Sequence, residues 1–326
     1  MPPKEAAISV KRPGADRSGT SKLPQPLQYM LVVILSFTTS LGLYSACAIF
    51  TKFELSGVSR SVNDPFEALI FPAWRIIELG IAWFARYDDL DVAALTVQTR
   101  LPYYFLINTF YQVSLSTSVI CLAIDVASAS IPFLLMRSRI PAHNPKSPAG
   151  SVAYRTVLKD FTTNTYVTIF GASIYSVVLF ASIQTWLTVY LVTNFDGVRS
   201  FESARAMQIP AMVLSCLPLG WSATTFLFSP SIGAKPGLSE ISGTAFNPEQ
   251  ATLWEHFKHN TWAWSAGTKV IVKRNLVLSA LVGIATWLRV WKTLEGSEMV
   301  GSAGWAALWA GTNLATGVLM RWVAAA

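Results

Sequence analysis

Asp125 is the residue whose type and position most strongly suggest chemistry. It is the one charge deep in an otherwise apolar stretch, residues 103–136. Helical spacing places it on a polar face with Ser118, Cys121 and Ser128. A carboxyl group inside a membrane is costly and by default marks a functional site. When desolvated it resists ionisation and could serve as a general acid. The alternative is a structural acid, hydrogen-bonded to Gln184 or to backbone near Pro132.

Arg75 and Glu78 are the second candidate. They lie three residues apart in the segment 65–86 and can pair on one helical face. If this segment is re-entrant, the pair could close a pocket over Asp125. The alternative is an ordinary ion pair on the wet face of an interfacial helix. The candidate catalytic residues are therefore Asp125, Glu78 and Arg75.

Glu255, His256 and His259 invite a metal-binding interpretation, which their order does not support. A metalloprotease helix needs two histidines at i and i+4 around the glutamate, whereas this chain reads E-H-x-x-H. Two ligands without a third make a weak zinc site. The sequence also lacks a phosphate-binding loop, a nucleophile elbow and a dinucleotide fingerprint. We therefore predict no metal and no cofactor.

The elements that position these residues are transmembrane helices. Apolar residues make up 52% of the chain and charged residues only 13%, against about 25% charged in soluble domains. The charges cluster between long apolar stretches, which predicts an all-α, polytopic transmembrane helix bundle. The basic residues lie in short loops, so their expected partners are the lipid bilayer and its anionic headgroups, with no nucleic acid.

Residues 1–27 are predicted to be a disordered basic tail, and residues 28–326 a single transmembrane domain. The segment 65–86 is predicted to be interfacial or re-entrant, because charges at the bilayer centre are costly. An inner-side loop with an amphipathic helix is expected at 229–275, its helix beginning near Asn247. Stretch 103–136 exceeds one span and is expected to tilt or break near Ser128–Pro132. Six spans are predicted, at 28–50, 103–136, 166–193, 207–228, 276–292 and 301–323.

The positions of lysine and arginine predict the topology. With six spans, sixteen of the 25 basic residues fall on the side of the tail, which favours cytoplasmic N- and C-termini. Seven spans with the tail outside is the alternative. We expect the endoplasmic reticulum or another endomembrane, with a mitochondrial membrane as the alternative.

The last span carries small residues at every fourth position: Ala303, Ala307, Gly311 and Ala315. Such a ladder lets helices approach closely. It is expected to pack against the sixth span, where Ser279 and Gly283 offer a similar surface. A homo-oligomer or a membrane partner could use the same face.

Two segments carry a family resemblance: WLTVYLVTNFDGVRSFESARA (186–206) and FNPEQATLWEHFKHNTWAWSAGTKVIVKR (246–274). They resemble uncharacterised polytopic membrane proteins of filamentous fungi, and the likeness extends to GLYSACAIF and LPYYFLINTFY. This resemblance implies a fungal source and brings no activity with it.

Two functions remain in view. One is a non-catalytic scaffold, assembly subunit or lipid-organising factor. The other is a membrane-embedded enzyme, such as an isomerase or terpene-type cyclase, which would use an intramembrane carboxyl as its acid and aromatic rings to stabilise a cation. The missing catalytic motifs favour the first.

Overall fold

The computed structural model describes residues 24–61, 65–148, 150–235, 252–254, 256 and 264–325. Over those ranges the chain is all-α, with no β-strand. The predicted α-helical bundle is therefore confirmed. The predicted tail lies almost entirely outside the described residues, as does most of the amphipathic helix predicted to begin near Asn247.

Among the described residues the chain forms eight long helical segments, two of them interrupted by a π-helical turn, and two short helices, Arg155–Lys159 and Glu202–Ala206. In chain order they are α1 Gln25–Ser56, α2 Pro65–Phe84, α3 Asp89–Phe110, α4 Leu115–Met136, α5 Arg155–Lys159, α6 Phe161–Ser182, α7 Thr188–Asn194, α8 Glu202–Ala206, α9 Ile209–Ala223, α10 Ser229–Ile232, α11 Ala266–Thr293 and α12 Met299–Ala325. A π-helical turn, Ile183–Leu187, joins α6 to α7, and a second, Thr224–Phe228, joins α9 to α10.

Five helical segments among the described residues are long and apolar enough to cross a membrane. Each of them overlaps one of the six predicted spans. The predicted span 103–136 is represented only by its second part, which forms α4. The predicted span 301–323 forms α12, which is not among the five. The five segments are Gln25–Thr51, Leu115–Met136, Phe161–Asn194, Ile209–Ile232 and Ala266–Thr293.

The stretch 103–136 breaks in a different place from the one predicted. Helix α4 continues through Pro132, and the break falls at residues 111–114. There Gln112 adopts a left-handed backbone with φ 58°, and the side chain of Ser114 caps α4 by accepting from the amide of Thr117 at 3.3 Å. A proline distorts a helix without necessarily ending it, whereas a capped turn reverses the chain.

The two ends of the bundle are marked by separate polar contacts. At one end, here called the Arg199 end, Glu54 accepts hydrogen bonds from Ser114, and Arg199 donates to the carbonyl of Gly57. At the other, here called the His143 end, the loop that follows α4 meets the beginnings of α3 and α11. These contacts show that α1 ends and α4 begins at the Arg199 end, and that α3 begins at the His143 end.

Helices α2 and α3 form a hairpin that runs between the two ends. Glu67, near the start of α2, pairs with Lys292 towards the Arg199 end. The carbonyls of Trp83 and Tyr87, at the close of α2, accept from Arg137 at the His143 end. Residues 89–102, which lie outside all the predicted spans, belong to α3, and this helix returns to the Arg199 end.

The small-residue ladder does not pack against α11 as expected. Ala303, Ala307, Gly311 and Ala315 all face outward, and a Cβ on Gly311 would meet nothing within 4 Å. Helix α12 packs against α11 through another face, where Gly283 lies opposite Ala310. The ladder is therefore an open surface of the described structure.

Candidate functional site

Asp125 lies at the centre of a buried charge cluster. Its side chain accepts hydrogen bonds from the hydroxyl of Tyr44 at 3.0 Å and from that of Tyr104 at 2.8 Å. Arg289 forms an ion pair with it, Nη1 to Oδ2, at 2.9 Å. Both carboxylate oxygens are thus engaged, and the residue is only 7% exposed. Three donors stabilise the ionised carboxylate.

Glu78 belongs to the same cluster, through a different arginine from the one predicted. It accepts from Nη2 of Arg100 and, at 2.8 Å, from the indole of Trp74. The Nε atom of Arg100 lies 4.0 Å from Oδ2 of Asp125. Arg100 therefore connects the two buried acids.

Arg75 takes partners of its own. Its guanidinium donates to the hydroxyl of Ser36 at 3.2 Å and to that of Ser128 at 3.1 Å. The predicted hydrogen-bonded pair of Arg75 with Glu78 is replaced by these contacts, although the two side chains share the cluster. Arg75 thereby holds α2 against α1 and α4, one helical turn from Asp125.

The cluster is assembled by five helices: α1, α2, α3, α4 and α11. It contains three arginines and two acids, so it carries a net charge of +1. The guanidinium of Arg289 also lies over the rings of Tyr103 and Tyr104, at 5.1 and 5.4 Å from their centroids. These rings offer the cation electrostatic contact where water is excluded.

Sequence reasoning found the acids and missed their partners. Arg100 lies outside all six predicted spans, and Arg289 lies near the end of the predicted span 276–292 with no acid predicted to pair with it. In the structure α3 includes Arg100, and α11 continues to Thr293, one turn beyond Arg289. Gln184, the expected partner of Asp125, is exposed. For Arg289 the sequence did contain a signal of helix: the residue lies between Trp287 and Trp291, within an uninterrupted apolar pattern.

The space beside the cluster is small. Arg75 and Glu78 line a cavity of about 20 Å³ together with apolar residues of α2, α3 and α11. Pockets for organic ligands typically have about 300–1,000 Å³. This cavity therefore has no room for a lipid-sized substrate.

A second cluster fastens the His143 end. Asp88 caps α3, accepting from the amide of Asp91 at 2.9 Å, and also accepts from the amide of Ile140 at 3.0 Å. Nδ1 of His143 lies 2.8 Å from the same carboxylate. Beside it, Asp89 pairs with Arg139. These contacts hold the loop after α4 on the first turn of α3.

The π-helical turn Thr224–Phe228 supplies the other half of this cluster. Pro230 has no amide hydrogen, so the carbonyls four and five residues earlier lack a helical donor. Those carbonyls accept from side chains instead: Thr225 from Nε2 of His143 at 3.1 Å, and Phe226 from Arg274 at 3.1 Å. Arg274 also pairs with Asp91, at 2.5 and 3.0 Å.

Asp88, Asp91 and His143 bring potential metal-ligand atoms within 4.8 Å of one another. The hydrogen bonds of these residues indicate a doubly protonated His143 rather than a bound metal ion. Both ring nitrogens of His143 face acceptors, a carboxylate and a carbonyl, so both must donate. An imidazolium has no lone pair for a metal, and Arg274 already neutralises Asp91. The cluster is an ionic clamp.

Burial alone would lower the pKa of His143, but the hydrogen bond and charge of Asp88 outweigh it and raise the pKa above 6.5. Burial would likewise raise the pKa of Asp88, whereas its bonds to His143 and to two backbone amides hold it below 3.8. The clamp is therefore charged on both sides at mildly acidic pH.

Fold and site together define a class: a bundle of apolar α-helices held together by buried ion pairs. Within that class, residues 160–323 match the model of the bouquet formation protein 3 C-terminal domain, a fungal-type family. The match covers half of the chain, which therefore belongs to this family. No curated protein and no solved structure matches the chain significantly. The matched part runs from α6 to α12, so Arg289 lies inside it and Asp125 outside.

Removing either side of the Asp125–Arg289 pair is expected to destabilise the protein by about 3–5 kcal/mol, because it leaves a buried charge unpaired. In Asp125→Asn and Arg289→Gln the thermal unfolding temperature in detergent should fall sharply. The double variant should be less destabilised than the sum of the two. Glu298→Gln, at an exposed position, is the control and should change little. Strict additivity in the double variant would contradict a direct pairing.

The His143 clamp should make stability depend on pH. Because the folded pKa of His143 is raised, its stabilisation is complete below pH 6.5 and is lost as the pH rises through the folded pKa. The difference in unfolding temperature between the parent and His143→Gln should therefore be larger at pH 5.5 than at pH 9. Arg139→Gln, which breaks an arginine–carboxylate pair that contains no histidine, should cost the same at both. A His143→Gln effect independent of pH would refute the imidazolium.

Proposed function

We propose that the protein is a non-catalytic, multi-pass integral membrane protein of the nuclear envelope or the connected endomembrane, where it acts as an assembly subunit. The family name refers to bouquet formation, and bouquet formation protein 3 is related to the nuclear envelope. The observation that supports the proposal best is the state of its buried charges. They bind one another across five helices, as structural groups do.

The same geometry weighs against the enzyme alternative. A general acid must carry a proton, whereas the three donors around Asp125 stabilise its ionised form. Glu78 is likewise held by Arg100 and Trp74. The cavity that Arg75 and Glu78 line, of about 20 Å³, would not admit a terpene or a sterol, and the larger cavity beside Tyr104 is lined by no carboxylate. Asp125, Glu78 and Arg75 are thus better explained as helix connectors than as catalytic residues.

The basic residues of the His143 end fall into two groups: one binds other parts of the protein, and the other is exposed and available to lipid headgroups. Arg139 and Arg274 pair with acids, and Arg137 and Arg155 donate to backbone carbonyls. Lys146, Lys159 and Lys235 are exposed at this end, and we propose anionic headgroups as their partners. The positive-inside tendency favours the cytoplasmic or nucleoplasmic side for this end, and we propose that both termini lie on the same side.

Topology tests the proposal directly. A fluorescently tagged chain is expected at the nuclear rim. In a background lacking Cys47, Cys121 and Cys216, single cysteines at residues 86 and 150 should react with an impermeant reagent from the same side. A cysteine at residue 61 should react from the opposite side, because the α2–α3 hairpin runs between the two ends.

Opposite sides for residues 86 and 150 would place α2 on the membrane surface and refute the hairpin as a pair of spans. Extraction of the chain by alkaline carbonate would refute an integral membrane protein altogether. A mitochondrial network in place of the rim would refute the location while leaving the topology intact.

Assembly is proposed to use the outward ladder of α12. Gly311→Leu should obstruct close approach of another transmembrane helix and shift the native-gel migration of the gently solubilised protein to a smaller species. Gly42→Leu is the matched control, since Gly42 is also helical, exposed and without neighbours within 4 Å. If both variants migrate like the parent, the ladder is not an assembly surface.

A further inference from the structure

A second, larger cavity lies between the N-terminal helices and the family domain. Its volume is about 310 Å³, within the range of ligand-binding pockets. It opens onto the surface beside Leu115, Val119 and Leu214, which are 67%, 54% and 69% exposed. The lining residues come from α3, α4, α9 and the turn before α9: Leu101, Tyr104, Phe105, Asn108, Thr109, Leu115, Ser118, Val119, Leu122, Met207, Leu214, Ser215 and Pro218.

Two lining residues carry buried hydroxyls that the protein leaves unused. Thr109 and Ser118 are 2% and 4% exposed, and neither hydroxyl has a hydrogen-bond partner among the described residues. A buried, unsatisfied hydroxyl costs about 1–3 kcal/mol. Both hydroxyls are covered by protein atoms, so reaching a ligand takes a change of χ1 rotamer, which serine and threonine can make in a helix.

The cavity contains no charged residue in its lining. The hydroxyl of Tyr104 is committed to Asp125, and the amide nitrogen of Asn108 donates to the carbonyl of Val113 at 2.8 Å. An ion would enter without a counter-charge, which is unfavourable in apolar surroundings. A pure hydrocarbon would leave both hydroxyls unsatisfied. The lining therefore fits an apolar molecule with a small uncharged polar group.

The polar residues also define an orientation. Thr109 and Ser118 lie within about one helical turn of the α3–α4 turn at 111–114, hence near the Arg199 end. Tyr104 and Leu122 lie deeper, towards the middle of the bundle. A ligand with its polar group near the membrane surface and its apolar body pointing inward matches this arrangement.

We propose that this cavity binds one uncharged membrane lipid whose hydroxyl group hydrogen-bonds to Thr109 and Ser118 while its apolar body packs against Tyr104 and Leu122. The proposal rests on the membrane embedding proposed above. A sterol and a diacylglycerol both have this chemistry, and the experiment separates them.

The full chain is reconstituted into liposomes that contain a photoactivatable sterol with a free hydroxyl or, separately, a photoactivatable diacylglycerol. After flotation and irradiation, the labelled peptides are identified by mass spectrometry. At least one probe should label peptides from 101–122 or 207–218. The double variant Thr109→Val/Ser118→Ala should reduce that labelling about five- to tenfold, as expected for the loss of two hydrogen bonds.

The matched control is Thr286→Val/Ser279→Ala on α11. These hydroxyls are also buried and unpartnered, but neither residue lines the cavity. The control should label like the parent. Leu122→Trp, which fills the cavity, should abolish labelling by both probes and shows whether the site itself is occupied.

Failure of the protein to float with the liposomes would refute the membrane proposal. Flotation without labelling of 101–122 or 207–218 by either probe would refute the lipid site alone. Equal labelling of the parent and the Thr109→Val/Ser118→Ala variant would refute hydroxyl recognition. Preference for one probe identifies the lipid class.

Discussion

The ion pair between Asp125 and Arg289 is the interaction on which the rest of the structure depends. Both charges are withdrawn from solvent, and each would be strongly destabilising without the other. The pair also crosses the boundary of the family domain, because α4 precedes that domain and α11 belongs to it. Its geometry therefore sets how the first four helices dock on the remainder of the chain.

Helix α11 is joined to the N-terminal helices by two ion pairs. Arg274 pairs with Asp91 at the His143 end, and Arg289 pairs with Asp125 fifteen residues later, about 22 Å along the helix axis. Two separated ion pairs fix both the position and the direction of α11. The proline at position 230 contributes indirectly, since it frees the carbonyls that receive Arg274 and His143. A local interruption of one helix thus provides acceptors for α11 and for the loop that follows α4.

Hydropathy predicted the helical class and most of the long segments. A long apolar segment removed from water must satisfy its backbone hydrogen bonds internally, and an α-helix does so within one segment. It failed for α3, whose residues Asp89, Asp91 and Arg100 made a helix look like a loop. All three are buried in ion pairs, and a pair of opposite charges is invisible to a scale that counts each charge separately. The same limit hid the pairing of Arg289, although this residue lies within the predicted span 276–292. Asp125 was found because it stood alone in its own stretch, whereas its partners are distant in sequence.

The contacts of the buried charges weigh against the catalytic alternative. An active-site carboxyl must be able to change its protonation state and reach a substrate, and Asp125 is held by two tyrosines and an arginine. Tyr104 contributes to both the charge cluster and the larger cavity, because its hydroxyl binds Asp125 and the residue also lines that cavity. A lipid in that cavity would pack against the ring that orients the central ion pair. Lipid occupancy and the docking of the N-terminal helices would then stabilise each other, because both depend on one placement of Tyr104.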